Sequence, residues 1–172
     1  MREKDRIHSF YGHFLYSLAA IPSSLHYNMI QSFLIFFYTL VAGLSLGAAG
    51  LLLLLYGIWN AVNDPLMGYY MDKWKFKKWG RRIPYMVIGT VPFTIGFMFL
   101  WWVPWTDQTG IFLHGLIMLF LFDFGFTLAM TSWSALYTEM YEDEKERASV
   151  VAIKDLIAFL SAMIGLILPP LL

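Results

Sequence analysis

Residues 46–71 read LGAAGLLLLLYGIWNAVNDPLMGYYM, and the first charged residue in that run is Asp64. Crossing the hydrocarbon core of a bilayer takes about 20 predominantly apolar residues. In lipid, every backbone N–H and C=O must find its partner within the segment, so a run of this kind is a helix. A barrel strand would alternate apolar and polar residues instead. Three residues in it do not belong in lipid: Asn60, Asn63 and Asp64. Their spacing places them on one helical face. Pro65 follows and leaves a backbone carbonyl one turn earlier without its donor. Asp64 lies eight residues before Asp72, about 12 Å of helix from that end. An ionised carboxylate at such depth costs a few kcal/mol or more, so it should face a bundle interior, a water-filled cavity or a cation. Two roles fit it: a cation, proton or polar-substrate site, or a structural carboxylate paired to a neighbouring helix.

Four further stretches have the same character, at about 12–42 (containing Pro22), 83–104, 111–137 and 149–172. The expected fold is therefore an all-α membrane protein with about five transmembrane helices. The connections at 43–45, 72–82, 105–110 and 140–148 are short, which implies antiparallel neighbours in a bundle. Composition agrees, with 59% of the 172 residues hydrophobic and 14% charged, against about a quarter charged in soluble domains. There is no cysteine, which excludes a disulfide framework and a thiolate metal site. The charged start, Met1–His8, leads into a very long apolar run with no short core and small-residue cleavage site, so no removable signal peptide is expected.

All twelve Lys and Arg fall into three places. Arg2, Lys4 and Arg6 precede the first stretch. Lys73, Lys75, Lys77, Lys78, Arg81 and Arg82 lie between the second and third, and Lys145, Arg147 and Lys154 lie around the start of the fifth. Threading the stretches alternately puts all of them on one side. The positive-inside rule then assigns that side, with the N-terminus, to the cytoplasm, and a plasma membrane is the expected location. Trp74 and Trp79 at one end, and Trp101, Trp102 and Trp105 at the other, sit where amphipathic rings meet headgroups.

Asp123 is a second acid within a stretch, flanked by Phe122, Phe124 and Phe126 and with no charged neighbour; a functional and a structural role suit it equally. Ser23, Ser24, His26, Tyr27, Asn28 and Gln31 give the first stretch a polar stripe. A cavity lining explains it, and so do interhelical hydrogen bonds. The cationic connection, ending Gly80-Arg81-Arg82, suits anionic headgroups. Its guanidiniums also suit carboxylates or helix C-termini, as in a gate remade in each cycle. The partners for such a gate would be Asp72, Glu139, Glu142, Asp143, Glu144 and Asp155. Net charge is zero, so no nucleic acid is expected as a partner. No Gly-rich phosphate loop and no Ser/His/Asp order with a suitable context appears, so no enzyme, catalytic residue, metal site or cofactor is expected.

Trp59-Asn60-Ala61-Val62-Asn63-Asp64-Pro65-Leu66-Met67-Gly68, then Asp72, then Gly80-Arg81-Arg82-Ile83-Pro84-Tyr85 form one block. Trp133-Ser134-Ala135-Leu136, Glu139 and Asp143 through Glu146-Arg147 form a second, and Phe36-Phe37-Tyr38-Thr39 ahead of Gly43-Leu44-Ser45 a third. Together they resemble the melibiose-permease-like glycoside–pentoside–hexuronide:cation symporters of the major facilitator superfamily, over nearly the whole chain. The resemblance implies two six-helix halves around a midplane site, working by alternating access. On it, this chain supplies helices one to five of the N-terminal half, without the sixth helix and the C-terminal half. The chain is then a fragment, or must pair with the missing half or a partner chain.

Carried over by residue, the resemblance puts the family's cation-site pair on Asn60 and Asp64, with Asn63 between them. The first acid is an amide here. The helix-one acid falls near Ser24 and the helix-four acid near Ala129, so one of four acidic positions is kept. Sodium coupling then competes with proton coupling through Asp64 and with uniport. The sugar-stacking aromatic falls on Trp133 and the basic residue of helix five on Lys154, with Asn28 and Ser24 completing the expected substrate contacts. Asp72, Gly80, Arg81, Arg82, Glu139 and Arg147 form the expected cytoplasmic gate. The implied function is cation-coupled symport of a sugar or glycoside, with the lipid bilayer as surroundings. The alternatives are a lysolipid or other non-sugar transporter of the same superfamily, and a non-transporting truncated membrane subunit.

Overall fold

A computed structural model describes residues 9–73, 80 and 82–167. Most of the cationic connection, Arg81 included, therefore lies outside the described residues. The helices are α1 (Phe10–Ser17), α2 (Ala20–Phe36) with a π-helical turn at Phe37–Val41, α3 (Leu46–Lys73), α4 (Ile83–Leu100), α5 (Gln108–Met140) and α6 (Glu144–Ile167). Among the described residues, α3, α4, α5 and α6 are each long and apolar enough to cross a membrane.

The first apolar stretch was expected as one helix and is instead broken between α1 and α2. The cause is Pro22, which has no N–H to give the carbonyl four residues back. Leu18 O therefore accepts from Ile21 N at 3.0 Å, a tighter turn, and the chain restarts as α2. Ser9 Oγ caps the start of α1 by accepting from Gly12 N at 3.2 Å. At the other end, the π turn closes with Ala42 N donating to Phe37 O at 2.9 Å, and Gly43 takes φ +80, a backbone state favouring glycine.

The chain forms two compact units. In the unit of residues 33–133, Tyr38 is buried and donates from its hydroxyl to Leu100 O at 3.0 Å. Gln108 fixes the entry to α3: its Oε1 accepts from Ser45 N at 2.8 Å and its Nε2 donates to Gly43 O at 2.7 Å. Helices α4 and α5 cross backbone to backbone. A Cβ on Gly89 would lie 2.7 Å from Ala129 N and Gly125 O, and one on Gly125 would strike the Phe93 backbone. Small residues are how membrane helices approach this closely, since lipid supplies no hydrophobic drive between them.

In the unit of residues up to 32 and from 134, α1 packs on the first half of α6. Ser17 Oγ donates to His13 O at 2.8 Å and to Val150 O at 3.5 Å. Gly165, late in α6, lies against the Leu25 backbone of α2. Asp143 caps α6, its Oδ2 accepting from Lys145 N and Glu146 N at 3.1 Å each.

The glycine crossing is testable by substitution. Gly125→Val should cost about 1–3 kcal/mol, as overpacking does, and lower folded yield and melting temperature in detergent. Gly57→Ala, where an added Cβ meets nothing within 4 Å, should leave both unchanged or raised.

Candidate cation site between α3 and α5

Helices α3 and α5 lie side by side in a constant register. Trp59 stacks on Phe120 with ring centroids 4.7 Å apart. Asn60 and Asn63 reach Asp123, Asp64 reaches Thr127, and Ser132 Oγ donates to Met71 Sδ at 3.2 Å. The successive partners advance along both chains in the same direction, so the two helices run parallel here.

The polar rungs form one connected network. Asn60 Nδ2 donates to Asp123 Oδ1 at 2.9 Å, and Tyr56 donates to the same oxygen at 3.4 Å. Asn63 Nδ2 donates to Asp123 Oδ2 at 2.9 Å and to Thr127 Oγ1 at 3.1 Å. Thr127 passes its own proton on, donating to Asp64 Oδ1 at 2.9 Å. Asn63 is 0% exposed and Asp123 2%. Both oxygens of Asp123 are thus engaged, with three donors around a buried carboxylate, whereas Asp64 accepts from Thr127 on one oxygen and is itself exposed.

One atom in the network is left over. Asn63 Oδ1 is buried and has no hydrogen-bond partner among the described residues. Leaving a buried acceptor unmatched costs about 1–3 kcal/mol. Such an oxygen beside two carboxylates suits a hard cation, which oxygen ligands alone can hold. The residues present fit that donor class: carboxylate, amide and hydroxyl oxygens.

Sequence reasoning placed Asn60, Asn63 and Asp64 on one face, and the structure joins all three through α5. It treated Asp123 as isolated, and that is corrected: Asp123 is the most heavily hydrogen-bonded side chain of the network. Thr127 and Tyr56 were not singled out at all. The missed signal is the four-residue step from Asp123 to Thr127, which matches the step from Asn60 to Asp64. Two helices with polar residues at equal steps can pair them rung by rung. Ala129, where the family resemblance puts an acid, is instead buried against Gly89.

The other expected site residues are more dispersed. Trp133 is 7% exposed, so little of its ring is open for stacking. Asn28 donates to Ser24 O at 2.7 Å, a bond within its own helix. Lys154 pairs with its neighbour Asp155 at 3.6 Å. Ser24, Asn28 and Lys154 belong to one compact unit and Trp133 to the other. Of the gate residues, Arg82 pairs with Asp72 at 3.6 Å, and Gly80 takes φ +75. Arg147 Nε donates to Tyr141 O at 2.6 Å, while Tyr137 donates to Arg147 O at 3.1 Å. Arg147 and Glu139 belong to the unit that does not contain Asp72, Gly80 and Arg82. Arg81 lies outside the described residues.

A family model described as MFS/sugar transport protein matches residues 15–172. The chain belongs to this family. Among MFS/sugar transport relatives, it is 29% identical over 147 residues to an uncharacterized symporter of Synechocystis sp., covering 82% of this chain and 27% of that protein. It is 30% identical over 151 residues to the sphingosine-1-phosphate transporter MFSD2B of Xenopus tropicalis, covering 87% and 29%. It is 28% identical over 148 residues to the glucuronide carrier protein homolog of Escherichia coli, covering 85% and 32%. The chain thus spans about a third or less of the length of these relatives. As a member of this family it is a multi-pass, all-α membrane protein, and these relatives are named as a symporter, a transporter and a carrier homolog.

The network makes a stability prediction. Asn63→Ala strips one donor from buried Asp123 and one from Thr127, and should destabilise by about 1–3 kcal/mol in detergent-based thermal unfolding. Asn28→Ala, which loses one bond within its own helix, should fall within about 0.5 kcal/mol of the parent.

Proposed function

We propose that the full-length protein is a secondary transporter coupling a monovalent cation to a sugar or glycoside by alternating access, with Asp64 as the coupling carboxylate. The observation that carries this reading is the pair of carboxylates, Asp64 and Asp123, joined by Asn63 and Thr127 within apolar helices. Intramembrane acids are costly and belong to ion pathways more often than to packing. Asp64 is the exchangeable one on this reading, because it is exposed and accepts from Thr127, whereas Asp123 is buried among three donors.

The face of α3 bearing Asp64 also carries Gly50, Gly57, Ala61 and Gly68, and an added Cβ at those glycines meets nothing within 4 Å. The greater length of the relatives supports the remainder of a longer protein, or a partner chain, as what covers this face and closes a passage along it. Trp133, Lys154, Asn28 and Ser24 are the proposed substrate contacts. Asp72, Gly80, Arg81, Arg82, Glu139 and Arg147 are the proposed gate at the cationic ends, which face the cytoplasm of a plasma-membrane protein under the positive-inside rule.

A second reading has an observation in its favour. The relatives include proteins named as a sphingosine-1-phosphate transporter and as sodium-dependent lysophosphatidylcholine symporters, at identities similar to that of the glucuronide carrier homolog. On that reading the cargo is a single-chain lipid with a polar head, and the cation site is the same.

Uptake into proteoliposomes by the full-length protein, using a radiolabelled glucuronide and a labelled lysophospholipid as separate probes, decides between the cargoes. Under either reading an imposed sodium or proton gradient should drive uptake, and Asp64→Asn should reduce gradient-driven uptake to background. Gradient-driven uptake by Asp64→Asn at the parent rate would reject the coupling role.

A further inference from the structure

We propose that Asp123 is the second carboxylate of the cation site: a positioning group on α5 that orients both amides of α3 and strengthens the hold on the cation at Asp64. This rests on the cation-site reading of Asp64 above.

The argument starts from donor allocation. Tyr56, Asn60 and Asn63 all donate to Asp123, and they cover both of its oxygens. Donors around a buried carboxylate offset part of the cost of its burial and fix how it sits. A protonated acid would bring a hydrogen into an oxygen already facing a donor N–H. Asp123 is therefore poorly suited to take up and release an ion during a cycle. Its use lies in what it does to its neighbours.

An amide group has a donor end and an acceptor end, and holding one fixes the other. By binding the N–H groups of Asn60 and Asn63, Asp123 directs their carbonyl oxygens away from itself. The consequence is visible at Asn63, whose Oδ1 is fully buried and has no partner among the described residues. Without Asp123 the Asn63 amide would be free to turn and spend that oxygen elsewhere. Thr127 is oriented by the same chain: it accepts from Asn63 and so points its own hydrogen at Asp64. One side chain on α5 thereby sets the direction of every hydrogen bond leading to the exchanging acid.

Charge supports the same conclusion. With Asp123 ionised, the site carries two negative charges when empty and one when a single monovalent cation is bound. Buried charges interact strongly, because the effective dielectric constant is far below that of water. A charge on Asp123 therefore strengthens the hold on whichever ion Asp64 takes, sodium or proton.

The test uses the full-length protein in detergent and follows tryptophan fluorescence, since Trp59 stacks on Phe120 one residue before Asn60. One arm titrates sodium chloride against choline chloride at constant ionic strength, and the other titrates acid without sodium. The parent should respond to one of the two ions, and Asp64→Asn should abolish that response. Asp123→Asn should weaken the apparent affinity for that ion by about tenfold or more. The exchanged pair, Asn60→Asp with Asp123→Asn, moves the carboxylate across a single hydrogen bond and should recover affinity to within about threefold of the parent. A folded Asp123→Asn protein with parental affinity would overturn the proposal and leave the cation site itself standing. A folded exchanged pair that stays as weak as Asp123→Asn would also overturn it, since charge is then not what Asp123 supplies. Where Asp123→Asn fails to fold, the exchanged pair decides alone. A parent that responds to neither ion, or an unaltered response in Asp64→Asn, removes the cation-site reading and this proposal with it.

Discussion

The side-chain amide of Asn63 has two N–H groups, and they are spent on two different residues of α5. One goes to Asp123 and the other to Thr127, which in turn donates to Asp64. Everything distinctive about the α3–α5 pair depends on that fork. Buried among apolar helices, Asp123 has no water to share the cost of an unmatched carboxylate, so its donors must be built in. The fork supplies one of them, beside Asn60 and Tyr56, and it couples the two acids through one hydroxyl. It also gives the helices a register, because a slip of one residue would part every rung at once.

The glycine crossing of α4 and α5 serves the same end from the other side. Gly89 and Gly125 let the two backbones touch, and Ala129 is buried there. That packing holds α5 with one flank on α4 and the other, bearing Asp123 and Thr127, toward α3. Polar rungs on one flank and small residues on the opposite flank are two different solutions to helix association in lipid. Here they share one helix. The tie of Tyr38 to the Leu100 carbonyl and the clamp of Gln108 on the 43–45 turn fix the far ends of the same unit.

The fold was legible because its determinants are additive along the chain. Hydrophobic length sets each span, short cationic connections separate them, and both are one-dimensional properties. The break between α1 and α2 was less so: Pro22 was visible, but a proline in a long apolar run reads equally as a kink. The candidate site was half legible. Asn60, Asn63 and Asp64 share a helix, so their spacing places them together without any knowledge of the fold. Asp123 could not be joined to them in that way, since which helix lies beside α3, and at what register, is a matter of three-dimensional packing. Its phenylalanine neighbours in sequence point to other faces of α5 and say nothing of the amides it meets. Trp133 and Lys154 were placed by family resemblance alone, and Asn28 by the polar stripe of the first stretch. The structure shows a buried ring, a local ion pair and a bond within one helix.

The central claim is that Asp64 borders a watery passage rather than acyl chains. The most direct measurement is the reaction of a single cysteine at that position with a membrane-impermeant, water-soluble thiol reagent. It uses Asp64→Cys in the full-length protein, in native membranes and on a background cleared of other cysteines, as this stretch already is. The account predicts rapid modification of that thiol, slowed by saturating substrate, with Val91→Cys on the exposed apolar side of α4 unreactive. A thiol at position 64 that resists the water-soluble reagent yet reacts with a lipid-soluble one would contradict it.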